Sequence, residues 1–313
     1  MILVAGLTPA WQQIFLFDQF QIGEVNRAAQ TWQCASGKNL NVAFALNRLV
    51  NNNDDEVKVI STAGGGSGLL VKGDFQNEEI RTVWVETKSQ TRTCTTILDQ
   101  STNVTSELVE NSPPLTQDEL EGYLACFKTE VKKTSVLVLT GSLPENTPID
   151  YYSRMLKWNS AKAVLDIRGE ELKLAMEHRP FLIKPNREEL EKTTGEKINS
   201  TDQLIQSMKK MNLQGAKWVL ISNGSKESWL TSLDETYSFT PPKVQVVNPI
   251  GCGDCLTAGI AWGLHQNEEN VPKAVQLGMA AAALNLEQIL PARVQRNEVI
   301  SLAEKIVFKE FPV

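Results

Sequence analysis

Asp254 stands in the run Pro249-Ile250-Gly251-Cys252-Gly253-Asp254-Cys255, directly before an apolar stretch at 256–264. Two glycines permit a sharp backbone bend, and the apolar stretch starts a helix that reads as buried on most sides. A helix start carries unpaired N–H groups and the positive end of the dipole, so this turn is suited to an anion. A carboxylate is a poor phosphate ligand there, but a good base beside a reacting phosphoryl group. The combination points to phosphoryl transfer, with the N–H groups of Gly251, Cys252 and Gly253 around the anion; as plain structure, the same Asp would be a helix N-cap.

Residues 246–248 read as a strand ended by Pro249 that delivers this turn. Short apolar runs at 136–140, 163–167, 181–183 and 218–222 alternate with helical patterns at 151–158 and, after the cap Ser200-x-x-Gln203, at 201–211. Continuous apolar strands between helices predict a parallel sheet covered on both faces. The apolar run 1–6 is a further buried strand, because it lacks a basic flank and Thr8-Pro9 ends it too soon for a leader or a spanning helix. Residues 39–49 form a helix with Val42, Leu46 and Leu49 on one side, and 57–62 a strand before the cluster Gly64-Gly65-Gly66-Ser67-Gly68. The stretches 11–34 and 89–112 are β-rich, the second a hairpin, and suggest a lid beside the core. Thr116-x-x-Glu119 is a capping box, 229–239 reads as edge strands, and 271–289 and 298–308 as the last helices. Ligands of an open parallel sheet sit at strand carboxyl ends, so one crevice can collect the loops at 64–68, 141–144, 184–186, 222–224 and 249–254.

At 313 residues, 42% hydrophobic and 22% charged, the chain is globular material for one large α/β domain, without a repeat or linker to split it. A net charge of −6 argues against nucleic acid or a membrane as partner, so a phosphorylated substrate must meet a local basic cluster. Five cysteines fit a reducing cytoplasm better than a disulfide framework, and His178 and His265 have no metal-ligand spacing.

Several pieces occur in one order: Thr8-Pro9-Ala10, Glu24-Val25-Asn26-Arg27, Gly37-Lys38-Asn39-Leu40-Asn41-Val42-Ala43, Thr91-Arg92, Gly141-Ser142-Leu143-Pro144, Lys184-Pro185-Asn186-Arg187-Glu188-Glu189-Leu190 and Gly251-Cys252-Gly253-Asp254. Together they resemble the PfkB/ribokinase family of carbohydrate kinases, most of all its 1-phosphofructokinase and tagatose-6-phosphate kinase branch. The resemblance implies a three-layer α/β/α sandwich over 1–313 with a mostly parallel sheet and a small β lid. It implies transfer of the ATP γ-phosphate to a hydroxyl of a phosphosugar, with Asp254 as base and the turn N–H groups holding the developing charge. Gln12, Gly37 and Asn41 would then meet the sugar, and Arg27, Lys38, Arg92 and Ser142 its phosphate. Asn186 and Glu189 would organise magnesium, although a residue pair three apart at a helix start is also an ordinary capping box. Lys184, Ser222 and Gly224 would lie toward the ATP phosphates and Asn285 near the adenine. ATP, Mg2+ and a candidate K+ are the expected cofactors, and a homodimer through the lid the expected assembly.

Two departures stand out. Gln12 occupies the place of an aspartate that holds sugar hydroxyls, and Asn39 replaces a glycine, where it would crowd a left-handed turn close to the ligand. They leave room for a catalytically weak sugar-phosphate sensor of the same fold. A second alternative is a redox protein, since Cys252-x-x-Cys255 at a helix start is also a thioredoxin-like arrangement, although Asp254 and bound phosphates would limit any thiol activation to a modest pKa depression.

Overall fold

The computed structural model describes residues 1–51, 56–266 and 269–311. The chain runs through β1 (Ile2–Ala5), β2 (Ala10–Phe17), β3 (Gln30–Ser36), α1 (Lys38–Leu49), β4 (Val57–Ala63), α2 (Gly65–Asn77) and β5 (Thr82–Glu86). The hairpin β6 (Arg92–Asp99) and β7 (Val104–Val109) leads to α3 (Gln117–Glu130), β8 (Val136–Thr140), α4 (Tyr151–Leu156), β9 (Lys162–Asp166), α5 (Gly169–Ala175) and β10 (Leu182–Ile183). Next come α6 (Arg187–Thr194), α7 (Thr201–Leu213), β11 (Trp218–Asn223), β12 (Lys226–Thr231) and β13 (Thr236–Phe239). The chain closes with α8 (Cys252–Gln266), α9 (Val271–Leu286), α10 (Arg296–Ala303) and β14 (Phe308–Phe311).

Ten strands make one sheet in the order β14-β13-β12-β11-β10-β9-β8-β1-β4-β5. It is parallel from β11 to β5 and antiparallel beyond β11. Side chains alternate across a strand, and here both alternating sets are apolar. Ile2, Val4, Val136 and Val138 therefore join one core with α1, α8 and α9. Leu3, Ala5, Leu137 and Leu139 join the other with α3, α4, α5 and α7. The result is the expected α/β/α sandwich. Strand order reverses at β1, which has β8 on one side and β4 on the other, so the crevice at its carboxyl end is a switch point of the kind that collects ligands. Among the described residues no helix is long and apolar enough to cross a membrane.

A second, four-stranded sheet, β3-β2-β6-β7, covers that crevice. Paired residues point to one side, so Gln12, Cys34, Cys94 and Val109 share one face, and Thr96 and Glu107 lie one row along it. Phe15, Ile97, Val104 and Leu108 belong to the opposite face, where Val104 and Leu108 are exposed.

Several local expectations are corrected. Residues 246–248 form no strand; the N–H groups of Val247 and Asn248 both bond the Leu286 carbonyl, at 2.7 and 3.1 Å, which ties them to α9 instead of a sheet. Gly65–Gly68 open α2 rather than forming a binding loop, and they do not line the crevice. Within the β-rich stretch 11–34, residues 18–29 form no strand. The last helix stops at Ala303, and Phe308 begins β14, where its ring packs on Tyr237 and Phe239. Helices α2 and α5 and strand β5 carry no clear period in sequence. The capping box at Thr116 and the cap at Ser200 form as expected.

Candidate active site

The turn before α8 is held by packing rather than by local propensity. Gly251 has φ +83, and a Cβ there would stand 2.9 Å from Pro291 Cβ, so the position requires glycine. From behind, Asn285 on α9 donates through Nδ2 to Ile250 O (2.8 Å) and accepts from Ala292 N–H (2.7 Å). Helix α9 sits close because two glycines face each other: a Cβ on Gly259 would come within 2.6 Å of Gly278 Cα. The first intrahelical bond runs from Cys255 N–H to Gly251 O at 2.8 Å. The N–H groups of Gly251, Gly253 and Asp254 find no acceptor among the described residues.

Asp254 is buried, with 6% of its surface exposed, and its Oδ2 accepts from Asn41 Nδ2 at 2.7 Å. Ser36 donates to Asn41 Oδ1 at 3.1 Å, which fixes which end of that amide faces the carboxylate. Burial pushes the Asp254 pKa up to about 6, Lys38 opposing and Asp166 adding to the rise. Asp166, at the carboxyl end of β9, accepts from both Lys38 Nζ (3.1 Å) and Lys184 Nζ (3.2 Å). Burial alone would raise its pKa, but the two lysines outweigh burial and hold it below the usual carboxylate range. Lys38, in turn, is held above its ordinary value by Asp166 and Asp254 against the effect of burial. Two ammonium groups and two carboxylates thus stand together at the sheet's carboxyl edge.

A cavity of about 470 Å³ opens above them. It is lined by the expected residues Gln12, Gly37, Lys38, Asn41, Arg92, Ser142, Gly251, Cys252, Gly253 and Asp254. Arg92 is pinned by Thr8 O (3.1 Å) and Glu110 O (3.2 Å), while its buried Nε has no partner. Gln12 is buried, and its Nε2 donates to Thr96 Oγ1 at 2.8 Å. Cys94, Glu107, Val109, Asp166 and Arg168 also line the cavity and were not expected. Asp166 had a signal in sequence, an acid at the end of an apolar strand; the hairpin residues had none, because only the register shows which of them face inward.

Other expected residues lie elsewhere. Arg27 is exposed in the loop after β2 and does not line the cavity. Lys184 reaches the site from below through Asp166, and a Cβ on Gly253 would lie 3.7 Å from its Nζ. Asn186 and Glu189 form a reciprocal capping box on α6, with Asn186 Oδ1 accepting from Glu189 N–H at 2.8 Å and Glu189 Oε2 from Asn186 N–H at 2.9 Å. A parallel bridge sets Asn186 beside Ser222, and Gly224, with φ +57, lies between β11 and β12. The adenine role for Asn285 is corrected, because that side chain is 1% exposed and spent on bracing the turn. Asn39 does not crowd the cavity either. It lies inside α1, and its Nδ2 donates to Gly6 O (3.1 Å) and Ser61 Oγ (2.9 Å) in the core. A thioredoxin-like role needs a depressed thiol pKa, yet burial pushes Cys252 up to about 11 and Cys255 well above its ordinary value. Both thiols thus fall within the expected limit of at most a modest depression, and neither is activated.

Solved structures share this architecture throughout. A candidate phosphofructokinase from Staphylococcus aureus superposes with TM-score 0.81 at 24% identity, covering 100% of this chain and 99% of that one. Phosphofructokinase-2 from Escherichia coli in complex with fructose-6-phosphate gives 0.88 at 20%, covering 97% and 98%. A candidate 1-phosphofructokinase from Thermotoga maritima gives 0.90 at 17%, covering 99% of each chain. At these identities the superpositions speak for the fold. The sequence itself matches the model of the pfkB family carbohydrate kinases from residue 4 to residue 294, a span holding both the Asp254 turn and the sheet over it, and this chain is therefore a member of that family.

Proposed function

We propose that this carbohydrate kinase transfers the γ-phosphate of ATP to a hydroxyl of a ketohexose monophosphate of the fructose 1-phosphate or tagatose 6-phosphate type. The observation that carries the reading is one cavity lined both by a buried carboxylate beside unpaired helix-start N–H groups and by the basic side chains of Arg92 and Lys38. Asp254 accepts the proton of the attacking hydroxyl; Asn41 holds its other oxygen still, and a pKa near 6 leaves it ionised yet basic at neutral pH. The N–H groups of Gly251 and Gly253 stabilise charge on the phosphoryl in flight, whereas the N–H of Cys252, expected to join them, is taken by Pro249 O at 3.4 Å. Arg92, Lys38 and Ser142 take the phosphate already on the sugar, and Gly37 and Gln12 border its ring. An acidic chain that concentrates these basic groups in one cavity favours a substrate that is itself phosphorylated. Closure of the four-stranded sheet, residues 11–34 and 89–112, would exclude water.

Magnesium, when bound, neutralises charge on the nucleotide phosphates. Among the described residues no three His, Cys, Asp or Glu side chains form a metal cage. That suits Mg2+, which keeps water and phosphate ligands and needs one or two protein carboxylates. Glu189 and Asn186 would meet its waters, with Lys184, Ser222 and Gly224 toward the nucleotide. Potassium, the other expected ion, would draw on backbone carbonyls beside the turn; those of Ile250 and Ile289 each accept one side-chain amide and keep a second lone pair.

A panel of free hexoses and hexose phosphates incubated with MgATP and followed by ADP release tests the reading. Turnover restricted to ketohexose monophosphates is expected; equal turnover of free sugars would place Arg92 and Lys38 in the wrong role.

A further inference from the structure

Three carboxylates line the cavity among the described residues: Glu107, Asp166 and Asp254. Asp166 is taken by two lysines and Asp254 by Asn41. Glu107 has no hydrogen bond or ion pair there; its charged neighbour is Arg92, the residue that also faces the cavity from β6. The register explains its direction. Gln12, Cys94 and Val109 form one row across β2, β6 and β7, and Ile14, Thr96 and Glu107 form the next on the same face.

Gln12 cannot act as the acid on this face. It is uncharged, and its Nε2 is drawn across to Thr96 Oγ1, in the row of Glu107. What Gln12 can present to a sugar is one neutral carbonyl oxygen. A polyol needs acceptors for its hydroxyl protons, and a carboxylate accepts about twice as strongly as an amide.

We infer that Glu107 is the carboxylate that reads the sugar hydroxyls next to the phosphate held by Arg92, so that the hairpin and not β2 sets sugar selectivity. The inference rests on the phosphosugar kinase reading above. It also makes the covering sheet part of the recognition surface, since acid and guanidinium come from adjacent strands and address adjacent groups of one ligand.

Glu107→Gln and Glu107→Ala are to be compared with wild type on fructose 1-phosphate, fructose 6-phosphate, its C4 epimer tagatose 6-phosphate, and 2,5-anhydromannitol 6-phosphate, which lacks the anomeric hydroxyl. Loss of a charge-assisted hydrogen bond should raise KM for the preferred phosphosugar about 10- to 100-fold in the alanine variant, with kcat and the KM for ATP within about threefold of wild type. The ratio of kcat/KM between preferred and poor sugars should fall by the same factor. A Glu107 that merely balances Arg92 predicts the reverse: tighter binding of every phosphosugar on its removal and unchanged ratios, a result that would overturn the inference. Position 107 is exposed on an edge strand, so both variants should fold. Wild-type turnover of free hexoses as readily as of their phosphates would defeat the phosphosugar reading instead, and Glu107 would still be judged by the same ratios among free hexoses.

Discussion

Burial makes Asp254 costly to the fold and, in the proposed reaction, basic enough to take a proton. A carboxyl moved from an ordinary 3.8 to about 6 corresponds to about 2–3 kcal/mol against the folded state. The folded value lies above the unfolded one, so this penalty is absent below about pH 4, grows between 4 and 6, and is complete above 6. Asp254→Asn should therefore lower kcat by about 10²- to 10⁴-fold and at the same time raise Tm at pH 8, with the gain fading toward pH 4; a variant that lost both activity and stability would show a structural defect. The same group predicts an acid limb near pH 6 in the kcat/KM profile. Asn41→Ala removes a bond that favours the ionised form, so the limb should move upward. Titration of the substrate's own phosphate is common to both enzymes and cancels in that comparison.

Helices α8 and α9 act as one unit beneath the turn, because Gly259 and Gly278 bring their backbones together and Asn285 bridges the remaining gap. Asn285→Ala would leave Ile250 O and Ala292 N–H without their partner inside the protein. Buried groups left so cost about 1–3 kcal/mol each, and the unpaired N–H groups of the turn would lose their backing. Denaturant unfolding should show a loss of about 2–6 kcal/mol, and kcat should fall more than either KM changes. Unaltered kcat in a well-folded variant would show that the turn holds its shape without this brace.

The face of the four-stranded sheet turned away from the cavity exposes Val104 and Leu108 and carries Phe15 and Ile97 beside them. An apolar face on a sheet that borders the cavity is suited to a second copy of the chain. A homodimer through this sheet is the expected assembly, and Leu108→Asp should halve the mass seen by sedimentation equilibrium while the variant keeps its fold. It should also weaken phosphosugar use, since a sheet without its partner would close less firmly over the cavity.

Composition and spacing by themselves determined the layered fold and the helix-start turn that borders the cavity. Continuous apolar strands have to be buried on both faces, and that condition alone places helices on both sides and loops at the carboxyl edge. The Gly-Cys-Gly-Asp run likewise declares a helix start with an acid in its first turn, whatever surrounds it. The parts left to tertiary structure depend on partners far away in the chain. Asp166 became central because β9 ends between lysines contributed by α1 and by the segment after β10. Asn285 and Asn39 were drawn inward, since a short amide satisfies buried backbone groups that a ligand would otherwise have to reach. Residues 246–248, apolar enough for a strand, were denied one by the pull of the Leu286 carbonyl on α9. Inward or outward direction in the hairpin is a matter of register, and a shift of one residue would have turned Glu107 away from the cavity and Leu108 toward it.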